Sequence, residues 1–337
     1  MSYKNIVVVG ATGLVGIEFV ELLGKYYENY NLDRFNIILI SNSHIGKTCF
    51  NSYFENKRYI SMDEIDYSID TIFINCANSD QAKLIVKNMS LNSILIDNSS
   101  EFRMNINVPL IIPEINWEKV MNSRIISNPN CSTIILAMLL DPFIKSNNLI
   151  KRIVVSTYQS ASGAGKEGLE ELQKQTKEYL NKEDLTTDFW KQQYIYNTFV
   201  HNSPIENNLY CQEENKLINE TNKIFNSNIK ISATCIRVPV LRSHCESVNI
   251  EFYDEINYSK IIDILKLYDT IEVIDNKEDH IFPSSISTNN NHIVQIGHIR
   301  PDYSLSLNKG WNFWISGDQL LRGASYNALL IMRNLVK

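Results

Sequence analysis

Residues 5–16 read N-I-V-V-V-G-A-T-G-L-V-G. A β-branched run stops at Gly10, glycine recurs at Gly13 and Gly16, and an apolar periodicity then continues to about Leu23. That is the pattern of a buried strand, a glycine turn and the opening of an amphipathic helix. Amides in such a turn can approach a pyrophosphate closely, and the helix N-terminus favours its charge. The spacing G-x-x-G-x-x-G is a variant of the usual dinucleotide fingerprint, strengthened by its strand–turn–helix setting. Gly10, Ala11, Thr12, Gly13, Leu14, Val15 and Gly16 are therefore candidate cofactor-binding residues. The plainer reading of the stretch is a tight turn with no ligand.

Outward from that turn, F-N-I-I-L-I (35–40), T-I-F-I-N (71–75) and S-I-L-I-D (93–97) are uninterrupted apolar runs closed by polar residues. Strands buried on both faces of a parallel sheet read this way. Their alternation with helical patterns predicts an α/β fold with a doubly wound, Rossmann-type parallel sheet. The second run ends S-N-S-H-I-G-K without the carboxylate that usually grips a ribose 2'-hydroxyl. Ser41, Ser43, His44 and Lys47 can accept a 2'-phosphate without repulsion, which favours NADP, with NAD as the alternative.

Beyond residue 131 the texture changes. R-I-V-V-S-T-Y-Q (152–159), I-K-I-S-A-T-C-I-R-V-P-V (229–240), S-V-N-I-E-F (247–252) and H-I-V-Q-I-G (292–297) read as strands with more polar alternation. Residues 167–180 and 258–267 read as amphipathic helices, giving an α+β domain with one sheet face packed on helices. A last helix, from about Gly317 to the end, is expected to return to the first domain. The division is then 1–130 plus 317–337, and 131–316.

A chain of 337 residues fits two domains, and 44% hydrophobic with 21% charged residues is the make-up of a soluble protein. A net charge of −6 argues against a nucleic-acid partner, which needs a basic face. No basic run suggests an anionic membrane, and no apolar run approaches a membrane span. The start of the chain lacks a signal-peptide core, and Cys49, Cys76, Cys131, Cys211, Cys235 and Cys245 show no C-x-x-C spacing. They read as reduced thiols of a cytoplasmic protein.

Cys131 stands apart. It lies in S-N-P-N-C-S-T (127–133), between a proline turn and an apolar helix, and a helix N-terminus lowers a thiol's pKa. The rival reading is packing, since a free cysteine behaves as a small hydrophobe. Its company decides the matter. G-A-T-G-L-V-G (10–16), N-S-S-E-F-R (98–103), N-P-N-C-S-T (128–133), Q-S-A-S-G-A-G (159–165), E-E-N-K (213–216) and R-V-P-V-L-R-S-H (237–244) together resemble aspartate-β-semialdehyde dehydrogenases, in the family's order and across nearly the whole chain.

The resemblance implies NADPH-dependent, reversible reductive dephosphorylation of β-aspartyl phosphate through a cysteine thioester, in lysine, threonine and methionine biosynthesis. Cys131 is then the nucleophile, His244 the general acid–base and Gln159 the group orienting the thioacyl. Arg237 clamps the substrate carboxylate, Glu213 (or its neighbour Glu214) takes the amino group, and Arg103, Lys216 and Asn130 hold phosphate. Ser162 and Gly163 join the cofactor site. The second domain is implied to be catalytic and to form homodimers or homotetramers. Cys131, His244 and Cys245 match no standard zinc spacing, so no metal is expected.

Three positions depart from the family pattern. Ser43 stands where many members carry an arginine for the 2'-phosphate, which weakens strict NADP preference. Residues 75–79 read N-C-A-N-S where a glycine pair is frequent, and Cys245 follows His244 in place of serine. The nearest rival is N-acetyl-glutamyl-phosphate reductase, whose acylated substrate has no use for an ammonium-binding glutamate. A nucleotide-sugar epimerase or reductase needs Tyr-x-x-x-Lys well into the chain, and the instance at Tyr53–Lys57 comes too early. A non-catalytic NADP-binding protein has no need of Cys131, Gln159, Arg237 and His244.

Overall fold

The computed structural model describes residues 3–337. The chain divides into two compact units, Met1–Asn130 with Ala324–Lys337, and Cys131–Gly323.

In the first unit the elements run β1 (Asn5–Val9), α1 (Leu14–Lys25), β2 (Asn36–Ile40), β3 (Thr71–Asn75), α2 (Ser79–Asn88), β4 (Ile94–Asp97), α3 (Pro113–Asn116) and β5 (Ile125–Ser127). The strands form a wholly parallel sheet in the order β2-β1-β3-β4-β5. Val7, Val9, Phe73 and Leu95 pack on one face with Ala82, Ile85 and Met89. The alternate residues Ile6, Val8, Ile72 and Ile74 point the other way and are just as buried. Burial on both faces is why these strands read as unbroken apolar runs. β5 escapes the sequence reading because three residues carry no periodicity.

The C-terminal helix, Tyr326–Val336, packs on α1. Asn327 Nδ2 donates to Ile111 O at 2.8 Å and also reaches Asn128, tying the helix to the stretch that precedes Cys131. The helix begins later than the Gly317 expected from the pattern. Asp318 Oδ1 accepts the N–H groups of Leu320 and Leu321, and a π-type turn, Leu321–Ser325, intervenes.

The second unit runs α4 (Cys131–Lys145), β6 (Ile150–Gln159), α5 (Gly165–Asn181), β7 (Phe199–Val200), α6 (Gln212–Phe225), β8 (Lys230–Arg237), β9 (His244–Phe252), α7 (Tyr258–Leu265), β10 (Ile271–Val273), β11 (Val294–Pro301) and β12 (Gly310–Gly317). Its mixed seven-stranded sheet has the order β10-β11-β12-β9-β6-β8-β7. α4, α6 and α7 cover one face. There Phe143 of α4 meets Phe252 and Phe313, with ring centroids 5.3 and 5.7 Å apart. Along β6, Ile153, Val155, Thr157 and Gln159 are buried beneath the helices, while Val154, Ser156 and Tyr158 are half-buried on the other face. That second face pairs Tyr158 with Trp314, centroids 5.3 Å apart.

The strand expected over 229–240 stops at Arg237. Pro239 has no N–H for a ladder, and the chain turns so that Val240 O and Leu241 O accept from Ala161 and Ser162. β12 and α6 were not foreseen. Among the described residues no helix is long and apolar enough to cross a membrane.

Candidate active site

The glycine turn of the first unit is built for close approach. Gly10 has φ +78°, the left-handed region that favours glycine. A Cβ on Gly16 would sit 2.0 Å from Gly10 O, so the second strand–helix contact needs glycine as well. α1 begins with no acidic residue in its first turn, leaving its N-terminal amides free of a competing carboxylate. Thr12 Oγ1 lies 2.6 Å from Ser41 Oγ, Ser41 Oγ 3.3 Å from Ser43 Oγ, and Ser43 Oγ 2.8 Å from His44 Nδ1. This hydroxyl chain borders a cavity of about 220 Å³ lined in part by Gly10, Thr12, Ser41, Ser43 and Gln81, and by no carboxylate. Asn75 orders the N-C-A-N-S turn: its side chain donates to Asp97 Oδ1 at 2.8 Å and accepts from Ala77 N at 3.1 Å.

The second cluster lies wholly within the second unit. Cys131 is the first residue of α4, whose following residues, Ser132 to Phe143, are all buried. Gly323 lies directly against it, since a Cβ there would fall 2.7 Å from Cys131 Cβ. Gln159 ends β6 opposite Arg237, which ends β8, and the Tyr158–Cys245 pairing sets His244 at the start of β9 one step further on. Three candidate side chains thus stand at one level of adjacent strands, all on the helix-covered face.

Gln159 Nε2 donates to Ser132 Oγ at 2.7 Å and to Glu213 Oε1 at 3.3 Å. Glu213 Oε2 pairs with Lys216 Nζ at 3.2 Å. Its neighbour Glu214 faces elsewhere, accepting the N–H of Cys211 at 2.8 Å and of Cys235 at 3.1 Å as the capping residue of α6. Arg237 is 4% exposed; it donates through Nη1 to Ser160 O at 3.1 Å and through Nε to Asn202 Oδ1 at 3.4 Å, over the Trp190 ring. Burial lowers its pKa, opposed by the charges of Glu213 and Cys131 among others.

His244 Nδ1 accepts the Ser160 N–H at 3.1 Å, which leaves the neutral ring's proton on Nε2. Nε2 has no hydrogen-bond partner among the described residues. Burial first, and then the Arg237 guanidinium, push the His244 pKa down to about 3; the same causes take His201 to about 4. Both rings fold as neutral species while the unfolded chain protonates them near pH 6.5. Stability is therefore full above pH 6.5 and falls as pH drops from there, toward 4 for His201 and toward 3 for His244, at up to about 1.4 kcal/mol per unit of pH for each ring. Thermal melts across that window should show a descent that a His244→Gln variant makes shallower.

Gly163 touches this ring. A Cβ would come within 2.8 Å of His244 Cε1 and 3.1 Å of Arg237 Nη1. Gly163→Ala is expected to displace both side chains and lower kcat/KM by roughly tenfold or more, since misplacements of about 1 Å cost that much. Steady-state rates beside an unchanged melting temperature would show it, and wild-type rates would refute it.

The structure brings together Cys131, Gln159, Glu213, Lys216, Arg237 and His244. Arg103 and Asn130 belong to the first unit: Arg103 Nη2 donates to Asn98 O at 2.7 Å, and buried Asn130 immediately precedes α4. Ser162 and Gly163 belong to the second, where Gln319 bonds Ser162 Oγ and accepts the Ser243 N–H at 2.7 Å. Cys245 points to the face opposite His244, with Sγ 3.4 Å from Ser316 Oγ. Sequence reasoning overlooked Ser132, Ser160, Trp190, Asn202, Gln319 and Gly323. Ser132 and Ser160 lie inside quoted motifs, whereas nothing local marks the others.

Comparison with known proteins gives this arrangement its relatives. Residues 5–123 match the family model described as semialdehyde dehydrogenase, NAD binding domain, and residues 140–322 match the one described as semialdehyde dehydrogenase, dimerisation domain. Aspartate-semialdehyde dehydrogenase of Synechocystis is 36% identical over 99% of this chain and 97% of its own length. That of Rickettsia bellii is 36% identical over 99% and 98%. The crystal structure of aspartate semialdehyde dehydrogenase II from Vibrio cholerae, complexed with ASA, superposes with a TM-score of 0.89 at 34% identity, covering 100% of this chain and 99% of that one. With a full-length likeness in sequence and in fold, the chain belongs to the aspartate-semialdehyde dehydrogenase family.

Proposed function

We propose that this protein catalyses the reversible, phosphate-dependent interconversion of aspartate β-semialdehyde and β-aspartyl phosphate, in the cytoplasm and in the service of amino-acid biosynthesis. The observation that carries the reading is the buried His244–Arg237–Gln159–Glu213 cluster around the helix whose first residue is Cys131. In the reductive direction the Cys131 thiolate attacks the β-carbonyl carbon, the bond to the phosphate oxygen breaks, and a thioester is left on sulfur. The α4 N-terminus, the Arg237 charge and the His244 Nε2–H favour the thiolate. As the carbonyl oxygen gains negative charge, the Nε2–H is the donor at hand to stabilise it, and the Gln159 amide joins it by exchanging one of its bonds to Ser132 and Glu213. Arg237 binds the α-carboxylate, Glu213 the α-ammonium, and Lys216, Arg103 and Asn130 the phosphate.

The first unit is the dinucleotide-binding domain in this reading. Its glycine turn, the Thr12–Ser41–Ser43 hydroxyls and the absence of a carboxylate in that cavity suit a 2'-phosphate, and Ser162 and Gly163 complete the site. When bound, NADPH supplies the hydride that reduces the thioester. The second unit is the catalytic and subunit-contact domain. Its open sheet face, with Tyr158 and Trp314, serves a homodimer or homotetramer.

The test is oxidation of L-aspartate β-semialdehyde with phosphate, followed by cofactor absorbance with NADP and with NAD. Turnover that requires phosphate and prefers NADP supports the reading. Inert protein refutes the reaction, and strong preference for NAD refutes the cofactor assignment.

A further inference from the structure

A histidine to which the motifs give no role stands among the substrate anchors. His201 extends β7 by one residue, its N–H donating to Cys235 O at 2.8 Å. It shares a face of that strand with Phe199, whose ring packs against Trp190 and Tyr194. Arg237 lies over the same Trp190 ring. His201 is 8% exposed, and its Nδ1 accepts the Ser203 N–H at 3.2 Å and lies 3.0 Å from Ser203 Oγ. That hydroxyl also accepts the Glu213 N–H at 3.2 Å, so one side chain holds both the imidazole and the start of the Glu213 turn. The charges that act on the ring are those of Arg237, Glu213 and Lys216.

With Nδ1 engaged by a backbone donor, the neutral ring carries its proton on Nε2. A third cation beside Arg237 and Lys216, with Glu213 as counter-charge, would be poorly compensated in so buried a place. A neutral donor adds direction without adding charge.

We propose that His201 is a second anchor of the substrate α-carboxylate, its Nε2–H donating a hydrogen bond beside the Arg237 clamp. This deepens the substrate reading above and rests on it. It makes His201 a specificity residue, which discriminates against amino aldehydes that lack the carboxylate.

The experiment measures dissociation constants by calorimetry for L-aspartate β-semialdehyde and for 3-aminopropanal, which has no carboxylate, without phosphate or cofactor. Wild type, His201→Ala, His201→Asn and His201→Gln are compared, with turnover and melting temperature recorded for each. Hydrogen bonds to charged groups predict a loss of about 10- to 100-fold for the semialdehyde in the alanine variant. The asparagine variant, which keeps a polar atom near Nδ1 but loses the Nε2 donor, should lose as much. Glutamine, with an amide nitrogen near the Nε2 position, should recover most of the affinity, and 3-aminopropanal should bind all four proteins alike. Equal weakening toward both aldehydes, or no weakening, overturns the proposal. Active wild type with an indifferent alanine variant sinks this inference alone, whereas wild type inert toward the semialdehyde sinks the function and this inference together.

Discussion

Cys131→Ala will lose phosphate-dependent turnover by about 10⁴-fold or more, the scale on which removal of a catalytic nucleophile is felt. Cys131 heads α4 and is half-buried, and alanine keeps the Cβ that packs against Gly323, so the melting temperature should hold. Cys131→Ser keeps the shape but replaces a readily ionised nucleophile with an alcohol, and should be nearly as poor. Incubation of wild type with β-aspartyl phosphate, without cofactor, should add an aspartyl group to the intact mass, and neither variant should acquire it. An alanine variant within a hundredfold of wild type would rule out the thioester.

The second large effect is expected at Arg237. In the proposed reading, truncation to alanine withdraws the guanidinium that meets the substrate carboxylate, and losing one partner of a buried, hydrogen-bonded charge pair of that kind weakens binding by on the order of 3–5 kcal/mol. That corresponds to a fall in kcat/KM of roughly 10²- to 10³-fold or more, carried mainly by KM. kcat should fall too, because Arg237 Nη1 holds the carbonyl of Ser160, whose N–H holds the His244 ring. Lysine restores the charge but neither the fork nor the fit over Trp190, so Arg237→Lys should recover only part of the loss. Steady-state kinetics over a wide range of semialdehyde concentration separates the two parameters. KM unchanged in the alanine variant would remove Arg237 from substrate binding.

The parallel sheet was legible because its strands are buried on both faces and so carry uninterrupted apolar runs, each bounded by polar residues. The other sheet was legible only in part. β12 holds two tryptophans in an alternation that local reading passes over, and α6 spaces few apolar positions among charged and amide side chains. Sequence brought Cys131, Gln159, Arg237 and His244 forward as a set, since each sits in a short distinctive motif. It could not separate Glu213 from Glu214. Adjacent helix residues point about 100° apart, and which one enters the site depends on the backbone amides of Cys211 and Cys235 that claim the other. Gly323 was beyond reach for a related reason, as its neighbour across space is almost two hundred positions away in sequence.

Gln159, Arg237 and His244 take their spacing from strand pairing, a ruler of about 4.8 Å per step that no side chain can stretch. Distances across this constellation are therefore as stiff as the sheet ladder itself. Heat or urea should leave the turnover of surviving molecules unaltered until the ladder melts, so the loss of activity and the loss of strand signal in circular dichroism should trace one curve.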